Sequence, residues 1–62
     1  PVNINTATLA QLDTLPGVGP AIAARIISYR EKNGPFKTIE DLRKVPGMGA
    51  SKFAQLQNQI KI

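Results

Sequence analysis

The chain contains no cysteine, no histidine and no tryptophan, and only three aromatic side chains among its 62 residues. Without cysteine, neither a disulfide nor a thiolate metal site can staple so small a fold. Without histidine, imidazole ligation of zinc and imidazole general-base chemistry are excluded as well. The three aromatics, Tyr29, Phe36 and Phe53, are too few for the exposed stacking series that single-strand binders use. Acids are also sparse: Asp13, Glu31, Glu40 and Asp41 are scattered and offer no catalytic pair. No apolar run approaches the roughly 18 residues that span a bilayer, and no secretory signal is visible. What remains is an excess of cations, eight Lys/Arg against four Asp/Glu for a net +4, which favours a polyanionic partner. A domain this small buries only about 60% of its unfolded surface, so stability must come from a thin core that uses nearly every apolar side chain.

The chain is written twice. A shift of thirty residues sets Thr8-Leu9 on Thr38-Ile39, Leu12 on Leu42, Leu15-Pro16-Gly17 on Val45-Pro46-Gly47 and Gly19 on Gly49. It also sets Ala24 on Ala54 and Ile26 on Leu56, so the duplication covers almost the whole length, with repeats at about 5–34 and 35–62. Each copy opens on a capping-box spacing, Thr8 with Gln11 and Thr38 with Asp41. Leu9/Leu12 and Ile39/Leu42 give each short first helix one apolar face. Pro16 and Pro46 end those helices, because proline disfavours helical backbone in the residue before it and has no N–H to donate.

A second helix follows each Gly-x-Gly. Gly19 suits an N-cap and Pro20 the first helical position, and helical spacing through Ala23, Ile26, Ile27 and Arg30 carries that helix to the Asn33-Gly34-Pro35 stop. In the second copy, Phe53, Leu56 and Ile60 predict a helix from about Ala50 to near Lys61. Nothing alternates with period two over a useful length. The expectation is therefore an all-α single domain, residues 1–62, of four to five short helices and no sheet, with the two helix-hairpin pairs related by a pseudo-twofold axis. The expected core is Leu12, Leu15, Ile26, Leu42, Val45, Phe53 and Leu56, with Val18 and Met48 pointing inward to pin the hairpins. Tyr29 and Phe36 cover it near the Gly34-Pro35 turn.

A glycine-rich turn that runs into a helix N-terminus presents unpaired backbone N–H groups and the positive end of the helix dipole. Such an element takes an anion, and two of them on one face suit two phosphates of a duplex. Contacts of this kind carry no base information. The same element also serves as a plain helix–helix connection, and duplication copies structural turns too.

The hydrophobic-Pro-Gly-hydrophobic-Gly pattern of "LPGVG" and "VPGMG" resembles the helix-hairpin-helix family. With "VNINTAT" in front and "YREKNGPFKTIEDLRKVPGMG" between and through the repeats, the tandem arrangement resembles the DNA-binding domains of competence DNA receptors, from Val2 to Ile62. The resemblance implies sequence-independent binding of double-stranded DNA through the phosphate backbone in uptake and transformation. It implies backbone contacts at Gly17, Val18 and Gly19 and at Gly47, Met48 and Gly49, with further helical N–H groups at Ala21 and Ala50. Family members often place a cation just after the second glycine. Here the second hairpin continues Ala50-Ser51-Lys52, so Ser51 and Lys52 are candidate contacts and the second hairpin is expected to bind more strongly, whereas the first continues through neutral Pro20-Ala21-Ile22 and is expected to lean on Arg25 or on its glycine N–H groups alone. Arg43 and Lys44, just before the second hairpin, are further candidates, while Arg30-Glu31-Lys32 reads as a solvated face. On this reading there is no catalytic residue, cofactor, metal or small-molecule substrate. The partner is duplex DNA, a monomer is expected, and protein partners would be those of a DNA-uptake machine.

Two other readings use the same fold. One is a protein–protein scaffold like the PsbU-type extrinsic subunit of photosystem II, from whose pattern this chain departs by keeping both Gly-x-Gly hairpins and a basic charge. The other is a DNA-positioning module of a larger repair or recombination enzyme. A chain that opens on Pro1-Val2-Asn3 without an initiator methionine is expected to be a fragment. Its location hangs on what precedes it; a competence-type receptor would be membrane-anchored and extracytoplasmic or periplasmic.

Overall fold

The computed structural model describes residues 1–62. Thr8 stands in extended backbone and opens α1, Leu9–Asp13. Its hydroxyl accepts from the Gln11 N–H at 3.2 Å, and the Gln11 side chain accepts from the Thr8 N–H at 2.9 Å, which is the predicted reciprocal box. The chain then turns through Leu15–Val18, closed by the Val18 N–H donating to Leu15 O at 3.1 Å. Pro16 and Gly17, the latter at φ 75°, occupy the two corners of a type II turn, where proline pre-sets the first and only glycine enters the second without strain. Gly19 caps α2, Pro20–Asn33, with Pro20 in the first turn as predicted.

The second repeat departs from the first in two places. Ile39–Lys44 winds as a 3₁₀ helix, and Thr38 makes no side-chain cap. Asp41 is one methylene shorter than its counterpart's Gln, and its carboxylate closes on the Lys37 N–H at 3.2 Å instead. The Val45–Met48 turn then repeats the first, with the Met48 N–H donating to Val45 O at 3.0 Å and Gly47 at φ 90°. Gly49 caps α3, Ala50–Leu56.

The expected long fourth helix and the expected absence of any sheet are both corrected. After Leu56 the chain passes through a 3₁₀ turn, Gln57–Gln59, into β2, Ile60–Lys61, which pairs in parallel with β1, Val2–Asn3. The register sets Val2 against Ile60 and Asn3 against Lys61, and the Ile4 N–H extends it to Lys61 O at 2.9 Å. The Gln57-Asn58-Gln59 run has no apolar face to dock, so nothing rewards continuing the helix. The N-terminal strand supplies backbone partners instead. A two-residue ladder is too short to leave a period-two signal.

Fourteen residues are buried, all of them apolar, and no polar side chain is buried. The nine expected core residues are all among them, joined by Ile4, Ala7, Ala23, Phe36 and Ile60. Burial respects the repeat: Leu12 and Leu42, and Ile26 and Leu56, are each fully inaccessible. Tyr29 stacks on Phe36 with ring centroids 5.5 Å apart and planes within 7°.

The segment before α1 straps the two repeats together. Asn5 reads the backbone of Phe36 on both sides, its Oδ1 accepting from Phe36 N–H at 2.7 Å and its Nδ2 donating to Phe36 O at 3.0 Å. Arg30, read from sequence as part of a solvated face, donates to Ile4 O at 3.0 Å and Ala7 O at 2.7 Å. Its planar fork spans two carbonyls that a lysine would not reach together.

Candidate nucleic-acid interface

The packing of the turn glycines shows how the hairpins lie relative to one another. A Cβ built on Gly17 would meet Lys52 Cγ and Gln55 Oε1, each at 3.7 Å, while one on Gly47 would meet Arg25 Nη1 at 2.8 Å and Ile22 Cγ1 at 3.5 Å. Adding thirty to 22 and 25 gives 52 and 55. Each turn glycine therefore rests on the second helix of the opposite repeat, at corresponding positions, which is the reciprocity of a twofold contact.

That exchange corrects the expected assignment of cations. Arg25 was expected to serve the first hairpin, but its guanidinium sits against Gly47 of the second. Lys52 follows the second hairpin in sequence, yet its aliphatic stem lies against Gly17 of the first. The physical reason is that the start of each second helix, Ile22 and Arg25 in one repeat and Lys52 and Gln55 in the other, packs against the turn of the opposite repeat. Each turn thus packs against one cationic residue of its partner repeat, Arg25 by its guanidinium and Lys52 by its aliphatic stem.

The backbone donors sort into used and unused. The Val18 and Met48 N–H groups, both expected phosphate contacts, close their own turns and have buried side chains, so neither is free for a ligand. The N–H groups of Gly17, Gly19 and Ala21 and of Gly47, Gly49, Ala50 and Ser51 have no partner within the protein. Ile22 and Lys52 belong with them, because the first backbone bonds accepted by the two caps come from Ala23 and Phe53. Helix starts always leave such orphans, and Ile22, in the same first turn as the predicted Ala21, is one that the sequence reading did not name. Pro20 costs the first hairpin one donor that Ala50 keeps in the second.

Gly19 and Gly49 differ from the turn glycines. Their backbones are extended, at φ −91° and −85°, and a Cβ on either would meet nothing within 4 Å. Neither conformation nor packing excludes a side chain, so the open space in front of each cap is available to a ligand.

The remaining candidates separate on charge. Arg43 is exposed and unpaired, whereas Lys44 Nζ lies 3.3 Å from Asp41 Oδ1, a pairing that dilutes its attraction for an outside anion. The Asp41 carboxyl is held below its usual range first by the Lys37 N–H it accepts and next by Lys44. No group of three or more His, Cys, Asp or Glu side chains is placed to hold a metal ion, and no helix is long and apolar enough to cross a membrane.

Residues 1–61 match the helix-hairpin-helix motif family. Among curated proteins, the chain is 52% identical to ComE operon protein 1 of Bacillus subtilis over 98% of its own length, covering 30% of that protein. It is also 52% identical to the human endonuclease/exonuclease/phosphatase family domain-containing protein 1 over 95% of its length, covering 10% of that protein. Protein tex of Bordetella pertussis is 38% identical over 98% of the chain, which spans 8% of that relative. In each case the chain corresponds to less than a third of the longer protein.

Proposed function

The chain belongs to the helix-hairpin-helix family, and on that premise we propose that it binds double-stranded DNA without sequence preference, each hairpin holding a phosphate on its free N–H groups. The observation that carries this reading is the pairing of open helix caps with exchanged cations: Lys52 beside the first hairpin and Arg25 beside the second. A phosphate at either cap meets unsatisfied donors, the positive end of a helix dipole on the longer α2, and a neighbouring positive charge. Such contacts read the backbone alone and leave every sequence equivalent.

Three to five phosphate contacts predict micromolar or weaker affinity, with log K falling against log salt at a slope of roughly −2.7 to −4.5. Titration of labelled random-sequence duplex at low and moderate salt tests this directly; no binding at low salt ends the proposal. A protein that competes with DNA for the domain, or binds where DNA does not, would favour the scaffold reading.

The role proposed for this duplex binding is that of a receptor in DNA uptake; its location is left open, and an extracytoplasmic or periplasmic, membrane-anchored place follows only if the chain is part of a competence-type receptor. Use of the same domain to position DNA for a catalytic domain elsewhere in the chain is the alternative, and the full gene product separates them.

A further inference from the structure

An open groove of about 170 Å³ lies beside the second hairpin, lined by Arg25, Ser28, Tyr29, Lys32, Asn33 and Pro46. Pro46 is a corner of the second turn, so one end of the groove is at the hairpin and the rest runs along α2. Arg25, Ser28 and Lys32 share one helix face at spacings of three and four. From Arg25 to Lys32 the helix rises about 10 Å, and one DNA strand advances about 3.4 Å per nucleotide. Because the strand also winds about the duplex axis, successive phosphates lie further apart than this rise, and the two charges span roughly one to two phosphate steps.

Nothing in the protein competes for them. Neither cation forms an ion pair, neither donates a side-chain hydrogen bond, and no acid lines the groove. The equivalent positions of the second repeat are Gln55, Asn58 and Ile62, all uncharged. There α3 stops at Leu56, so the helix face that carries Lys32 does not exist on the other side of the pseudo-twofold.

We propose that this groove is a phosphate track for the DNA strand that leaves the second hairpin, with Arg25 and Lys32 as its charges and the Ser28 hydroxyl as a neutral donor between them. The proposal rests on the hairpin reading above and extends it: the duplex sits off-centre, with a footprint longer on the α2 side than on the α3 side. Repeat symmetry sets two equivalent grips; the longer helix breaks it.

The test compares Lys32→Gln with Lys61→Gln, an equal change of charge at an exposed position on β2, in duplex titrations over a range of salt. Lys32→Gln is expected to shrink the salt slope by about 0.9 and weaken binding about eightfold at 0.1 M relative to 1 M salt, with an unchanged melting temperature. Lys32→Arg should retain both slope and affinity, and Lys61→Gln should change affinity less than twofold. Equal losses from Lys32→Gln and Lys61→Gln mean that only net charge matters, and overturn the track. No loss from Lys32→Gln, in a protein whose binding still depends on Gly19 and Gly49, overturns the track while leaving the hairpins intact. Failure of the unmodified protein to bind duplex at low salt removes the hairpin reading and the track together.

Discussion

Replacing both cap glycines with threonine should separate binding from stability. Gly19 and Gly49 have extended backbones that any residue adopts, and the space around a new Cβ is empty within 4 Å. Threonine caps a helix about as well as glycine, within a few tenths of a kcal/mol. Removing glycine also lowers the entropy of the unfolded chain, worth about 0.4–1 kcal/mol per site where the native backbone is compatible. At about 4–8 °C per kcal/mol for a domain this small, the double variant should melt at or several degrees above the parent temperature. Yet each new side chain fills the opening through which a phosphate must approach the cap N–H groups. Loss of one phosphate at each hairpin removes about 1.8 from the salt slope and costs roughly sixtyfold in affinity at 0.1 M relative to 1 M salt. Fluorescence anisotropy with a random duplex, at about 50, 100 and 200 mM salt, reads the slope, and circular dichroism reads the melt. Unchanged slope and affinity with an intact melt would show that phosphates do not sit at the hairpins. The turn glycines give a poorer test: alanine at Gly17 or Gly47, at φ 75° and 90°, costs about 1–2 kcal/mol of backbone strain, and at Gly47 it also displaces Arg25.

Three other outcomes follow from the packing. Arg30→Gln should leave the Ile4 and Ala7 carbonyls without their charged donor, costing about 2 kcal/mol and roughly 10 °C in melting temperature, with affinity per folded molecule unchanged; chemical denaturation checks it. Ile26→Ala and Leu56→Ala occupy equivalent, fully buried positions, and each should cost about 2–5 kcal/mol, most of the stability of a domain this size, which is about 3–9 kcal/mol; marked inequality would mean the two halves do not share one core. Asp41 has a lowered folded-state pKa, so its stabilising contribution is present above the unfolded value near 3.8 and disappears as pH falls through the folded one. The melting temperature of Asp41→Asn should therefore lie below the parent's at neutral pH, begin to approach it as pH falls below about 3.8, and meet it only below the folded-state pKa, while the released Lys44 strengthens DNA binding modestly.

Much of the fold was legible because the sequence states it twice. Apolar residues thirty apart identified the core, and Thr8-Gln11 identified the first helix start, since these are local patterns with strong geometric consequences. Thr38-Asp41 had the same spacing but lacked the side-chain length to complete the box, and the segment tightened into a 3₁₀ turn. Arg30 carried no signal of its role because its partners are carbonyls more than twenty residues away.

The residue types this chain lacks still set the terms for it. With no cysteine or histidine and few acids, the sequence alone excluded disulfide stapling and imidazole chemistry, and its repeated Pro-Gly-x-Gly predicted two hairpins with Val18 and Met48 turned inward. Which cation stands beside which hairpin was decided only by tertiary structure. Sequence proximity placed Lys52 with the second turn, but twofold packing set it on the first and brought Arg25 to the second. Local spacing fixes the shape of a turn, because φ, ψ and hydrogen bonds extend over a few residues; the neighbour of a turn is fixed by how two helices pack, and that distance is measured through the core.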